Sequence, residues 1–197
     1  MWTTVEKDLA GLLASKTYPA LSGNPEYEKL LVGGVPDPSR CQEAAARIVQ
    51  DVQKSGGVKE FASKQAAKAG IWKDQLFRGV SPRNNPKGKW WFDADLVKRW
   101  EQIYTVSMPR LERRDKIFES LRPMLAVCYD WNDFTQLWLI RLDGGTIPVI
   151  TGQGTSQPLY SPQEKQKHQQ YHNVAFIGGY RQVYVPFLPD RVVHYLL

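Results

Sequence analysis

Apolar residues recur along this chain at two different periods, and the change of period divides it. In 4–15, Val5, Leu9, Leu12 and Leu13 fall at helical spacing and predict a short amphipathic helix. A turn-rich connector at 18–25 leads to a short helix around 27–31, which the run Gly33-Gly34-Val35-Pro36-Asp37-Pro38 ends. Ser39, with Gln42 three residues later, forms a capping box that opens a helix to about residue 54, closed by Gly56-Gly57. A second helix is expected over 58–69, stopping at Gly70.

From Ile71 the pattern shortens to strand-like runs. Residues 75–80 read as a strand, 81–88 as a turn cluster and 89–92 as a short aromatic strand. Asp93 is placed to cap a helix over 94–104, whose apolar face is Leu96, Val97, Trp100 and Ile103. A charged helix is expected over 110–121, then strands over 124–129, 135–142, 146–150, 173–177, 182–187 and 191–197. Helices first and strands afterwards predict an α+β fold with a mostly antiparallel sheet. The division we read is a helical cap or extension over 1–70 and an α+β domain over 71–197. A polar, glutamine-rich stretch between Gly152 and His172 is long for a loop in a compact domain, and loops of that length are usually functional.

Composition narrows the function classes. With 42% hydrophobic residues the chain has enough apolar material for a core. Cys41 and Cys128 have no zinc spacing and form no disulfide framework, so they read as buried small hydrophobes in a reducing compartment. His168, His172 and His194 are not at metal spacing, and no metal is expected. No apolar run approaches the ~18 residues of a membrane span, so no membrane partner is expected. The first residues, Met1-Trp2-Thr3-Thr4-Val5-Glu6-Lys7-Asp8, lack a basic-then-apolar signal layout, which predicts a cytoplasmic protein or one delivered by a signal-free route. The net charge of +6 is concentrated: 78–122 holds eleven Lys/Arg against six Asp/Glu. A local basic field attracts phosphates and acidic partners. Arg110, Arg113, Arg114 and Lys116 nonetheless read as a solvated helix face, because that segment has almost no interleaved aromatics to stack bases.

Three stretches carry candidate chemistry. Leu76-Phe77-Arg78-Gly79 sets one arginine among apolar neighbours, followed by a glycine that admits close approach of a backbone or ligand. A guanidinium out of water needs a partner, and its planar fork suits phosphate or carboxylate. Gly88-Lys89-Trp90-Trp91-Phe92 supplies aromatic walls; Trp90 and Trp91 point to opposite sides of a strand, so one is core and the other lines a cleft. Arg181-Gln182-Val183-Tyr184-Val185-Pro186 closes the set.

In that order the three stretches resemble the ADP-ribosyltransferase family. Its members open with an apolar-aromatic-Arg-Gly strand and close with a catalytic glutamate followed by three apolar residues and a proline. The resemblance covers roughly 75–197 and leaves the N-terminal helices outside it. It implies an α+β core that binds NAD as substrate and modifies a macromolecular target, protein or nucleic acid. Arg78 would hold the phosphates, Gly79 with Trp90 or Trp91 the nicotinamide side, and Gln182 the catalytic place. It also implies a toxin or effector role, with an inhibitory (immunity) protein as a further partner.

The chain departs from the family at three points. Trp90-Trp91-Phe92 stands where Ser-Thr-Ser is common, and Tyr180 stands two residues before the catalytic place, where many transferases carry Gln or Glu. Gln182 stands where the family has glutamate, so the place has no negative charge. By analogy with the loss of one preorganised electrostatic group, that costs about 10²–10³ in rate. Position 182 is therefore degenerate or inactivated. Two other functions stay open: an NAD glycohydrolase, with water as acceptor, and a non-catalytic module of the same fold that binds a nucleotide, nucleic acid or protein.

Overall fold

The structure, a computed structural model, describes residues 2–54, 61, 66–81, 88–104, 108–130, 132–171 and 173–195. The helix α1 (Trp2–Ser15) buries Val5, Leu9, Ala10 and Leu13 along one stripe. A short turn of 3-10 helix and α2 (Pro25–Glu28) follow; the Asn24 side chain accepts from the Glu26 and Tyr27 N–H groups and starts α2. Gly33 and Gly34, both at positive φ, close a hairpin between β1 (Leu31–Val32) and β2 (Val35–Pro36). The long helix α3 (Pro38–Lys54) is amphipathic and buries Cys41, Ala44, Ala45, Ile48, Val49 and Val52. Its cap is Asp37, whose carboxylate accepts from the Arg40 N–H at 2.9 Å, so the expected Ser39–Gln42 box is not used. Pro38 at the first helical position has no N–H to leave unsatisfied.

The helix expected over 58–69 is corrected. Phe61 makes an isolated bridge to Gly154, and β3 (Lys68–Trp72) is a sheet strand that runs across position 70. Residues 58–60 and 62–65 of that expectation, and 82–87 of the turn cluster, lie outside the described residues. Next come β4 (Leu76–Val80), β5 (Trp90–Asp93), α4 (Ala94–Tyr104) and α5 (Arg110–Leu125). The strand expected over 124–129 is also corrected. The helix runs through Pro123 to Leu125 and stops at Ala126, which takes the left-handed conformation with φ 51°. β6 (Gln136–Ile140) and β7 (Ile147–Gln153) follow. The polar stretch after them is partly built, from β8 (Gln157–Pro158), α6 (Pro162–Lys165), a 3-10 segment and β9 (Ala175–Phe176). The last strands are β10 (Arg181–Tyr184) and β11 (Val192–Tyr195).

Seven strands form one sheet in the order β11-β6-β4-β5-β10-β7-β3, every neighbouring pair antiparallel. With the helices this makes the α+β fold that the sequence predicts. Alternation along the strands separates two cores. Leu76, Trp91, Ile140 and Val183 join the helices α1 and α3 in one. Phe77, Phe92, Leu137 and Leu139 join α4 and α5 in the other. The N-terminal helices therefore cover one face of the sheet and share its core.

Candidate functional site

The three candidate stretches, the third some ninety residues after the second, become three adjacent strands, β4, β5 and β10. β4 pairs with β5 only at Leu76↔Asp93 and Phe77↔Phe92, whereas its pairing with β6 continues to Val80↔Gln136. Beyond Phe77 the sheet therefore splits between β4 and β5. Arg78 lies at this split.

The side chain of Arg78 leaves β4 on the face of Leu76, and its Nη1 donates to the Trp90 carbonyl across the split at 2.9 Å. Its guanidinium lies against Gly88, where a Cβ would stand 2.2 Å from Cζ, so a side chain there would push the guanidinium aside. Arg78 Nε is buried without a hydrogen-bond partner, and burial lowers the guanidinium's pKa. A cation with one carbonyl partner and an idle N–H among the described residues is under-satisfied, which is the state an incoming anion would relieve.

Trp91 is core, 2% exposed, and its indole N–H donates to the Gly88 carbonyl at 2.7 Å. Trp90 is half-buried and meets Phe61 and Tyr184 edge-on, each at 5.2 Å between ring centroids. Both rings belong to the first core, Trp91 within it and Trp90 packed against it.

Gly79 is occupied from within the protein. A Cβ on Gly79 would stand 1.7 Å from Phe134 Cε2, so the Phe134 ring fills the space that the missing side chain leaves. The Asn132 amide donates to the Gly79 carbonyl at 2.7 Å, and its oxygen accepts from the Phe134 N–H at 2.8 Å. Phe134 itself is held at φ 56°. The close approach that Gly79 permits is thus taken by a side chain of the same chain.

The sequence did not single out the group that organises this turn, Arg122. It is 8% exposed and donates to the carbonyls of Val127, Cys128 and Asp133, the last at 2.6 Å. Its guanidinium also faces the Tyr129 ring at 4.8 Å and the Phe134 ring at 5.7 Å. Asn132-Asp133 after an apolar run was the only signal, and it marks a turn without saying what the turn covers.

Gln182 pairs with Phe92, which pairs with Phe77, so its side chain leaves the sheet on the face opposite to Arg78. There its amide donates to the Leu125 carbonyl at 2.9 Å and satisfies one of the last acceptors of α5. Gly154 presses on the same amide: a Cβ on Gly154 would stand 2.6 Å from Gln182 Nε2. Tyr180 packs partly buried on the second core, and its carbonyl accepts from the Gly154 N–H at 2.9 Å. The structure thus gathers Arg78, Gly79, Trp90 and Trp91 around the split and sets Gln182 and Tyr180 behind the sheet.

At the other end of these strands is a polar cavity of about 350 Å³, whose lining includes Lys73, Asp74, Asp93, Lys98, Arg141 and Arg181. Asp93 accepts from the Asp95 and Leu96 N–H groups at the start of α4 and faces Arg181 at 3.8 Å. Burial dominates over these contacts and raises its pKa.

Among the described residues no group of three His, Cys, Asp or Glu side chains could hold a metal ion, and His172 lies outside them. No described helix is long and apolar enough to cross a membrane. No family model, curated protein or solved structure matches the chain.

Proposed function

We propose that the chain is an ADP-ribosyltransferase-like domain that binds NAD at the split between β4 and β5 and acts on a macromolecular target. One observation carries this reading: the three motif strands lie side by side, and the sheet opens at the Arg-Gly step. Arg78 would take a phosphate on its idle Nε, Trp90 would flank the ring next to it, and the Asn132–Phe134 turn would give way at Gly79. A toxin or effector role, with an inhibitory protein that covers the split, follows from the resemblance.

A second reading rests on Gln182. Its amide is spent on Leu125 and it faces away from Arg78, which favours a non-catalytic binding module. Calorimetric titration with NAD of the chain and of Arg78→Met tests the first reading. Saturable binding that the variant loses supports it; no binding at millimolar NAD sinks it, and hydrolysis with it. Labelled NAD with a cell lysate, given to the chain and to Gln182→Glu, then separates the mechanisms. Label on a macromolecule with the variant means transfer, nicotinamide release without label means hydrolysis, and binding without either means the module.

A further inference from the structure

A second cavity, of about 430 Å³, lies where β6 begins and β11 finishes, beside the first turns of α5. Arg110 and Arg114, one helical turn apart, line it together with His194 of β11. Apolar lining comes from Leu111, Phe118, Leu137 and Tyr195, and neutral polar groups from Thr135 and Gln136. No carboxylate is among these described lining residues.

Two acids that touch lining residues are engaged. The Tyr195 hydroxyl donates to Glu101 at 2.8 Å, and Asp115 accepts from Arg114 Nε and Nη2 at 3.0 and 2.9 Å. The Arg114–Asp115 pair is exposed, at 40% and 60%, so it competes weakly for the guanidinium. Arg114 keeps Nη1 uncommitted among the described residues. Leu111 is 66% exposed next to these cations, an apolar side chain in water at the mouth of a basic cavity.

We infer that this cavity is a binding site for a small phosphorylated ligand with a flat apolar body. The arginines supply planar forks that match phosphate oxygens. Phe118 and Tyr195 supply ring surface for the flat part, and the volume lies within the ~300–1,000 Å³ common for small-molecule sites. A bare anion would use the charges and leave the apolar lining wet. An uncharged ring would do the reverse. The sequence reading treats Arg110 and Arg114 as a solvated helix face; the strand β11, folded back beside them, makes them one wall of a cavity.

The test uses the full chain and phenyl phosphate as probe, by calorimetric titration at low salt. Inorganic phosphate and phenol serve as half-ligands. The expected result is saturable phenyl phosphate binding with Kd below about 1 mM and at least about tenfold tighter than either half-ligand. The double variant Arg110→Gln, Arg114→Gln is expected to bind at least about tenfold more weakly while it keeps a cooperative unfolding transition. Arg191→Gln, remote from the cavity, and Arg78→Met are expected to bind like the parent, which keeps this site separate from the NAD reading. Three results would overturn the assignment: no saturation up to about 10 mM probe, inorganic phosphate binding as tightly as phenyl phosphate, or full affinity in the double arginine variant.

Discussion

Replacing Gln182 by glutamate exchanges an N–H donor for an oxygen at the atom that meets the Leu125 carbonyl at 2.9 Å. Two oxygens would then face each other, unless the new carboxyl keeps its proton and donates it. Escape by rotation is limited, because the Gly154 backbone lies against the same group. Leaving a buried acceptor unsatisfied costs about 1–3 kcal/mol, and the half-buried setting of Gln182 puts the expected loss near the lower end, about 1–2 kcal/mol. The sign with pH follows from the proton. The folded state favours the protonated carboxyl, so its folded pKa lies above the unfolded value of about 4.3. Stability is then fully present below that unfolded value and is lost as pH rises through the folded pKa. Urea unfolding of parent and Gln182→Glu at several pH values between about 4 and 8 reads this directly. The two should be nearly equal at the acid end and differ by about 1–2 kcal/mol at pH 8, a shift of roughly 2–8 °C in Tm at this chain length. A variant as stable as the parent at pH 8, or a deficit that does not change with pH, would refute the placement of Gln182 against Leu125.

Two further substitutions probe the same region. Asp93→Asn keeps the cap on α4 through its amide oxygen but removes the titration. Because burial raises the Asp93 pKa above its ordinary 3.8, the parent's contribution at this site is full below that value and falls as pH rises through the folded one. Unfolding curves should therefore converge in acid and show the Asn variant gaining on the parent towards neutrality; parallel curves would count against a buried Asp93. Gly79→Ala drives a methyl into the Phe134 ring, which is 2% exposed, so a loss of about 1–3 kcal/mol is expected by chemical denaturation. A loss below about 0.5 kcal/mol would mean that the ring does not sit on Gly79.

Much of the fold was legible where the period was clean. Leu76–Val80 is a strand, as the sequence predicts, with Leu76 in one core and Phe77 in the other, and Asp93 caps α4. The failures have local causes. Met124 to Tyr129 form a short apolar run after a proline, with no period of its own to separate the end of a helix from a strand. Pairing with β7 along five residues decides Lys68–Trp72, against the helical reading of a segment rich in Ala and Lys. Asp37 caps α3 because Pro38 fits the first helical turn, a rule that outweighed the apparent box two residues later. The site was half legible. Which residues are unusual could be read from Arg78, Gly79 and Gln182; which face each one uses depends on register, and a shift of one residue inverts it.

That inversion bears on how the split could work. Arg78 and Gln182 stand on strands two places apart, joined through Phe77 and Phe92, and they leave the sheet on opposite faces. An intact sheet would keep them apart permanently, because its backbone is a continuous hydrogen-bonded wall. The wall ends at Phe77, where β4 and β5 part and the Arg78 guanidinium bridges to Trp90 in place of a ladder bond. A ligand that displaced this bridge would enter between the strands and could meet groups from both faces. What blocks it on the far side is the Phe134 ring on Gly79, held by Asn132 and braced by Arg122. On the proposed reading, a ligand that crosses the split to the far face has to move the 132–134 turn. A bound state that leaves the Asn132–Gly79 contact intact would confine the ligand to the Arg78 face, beyond the reach of Gln182.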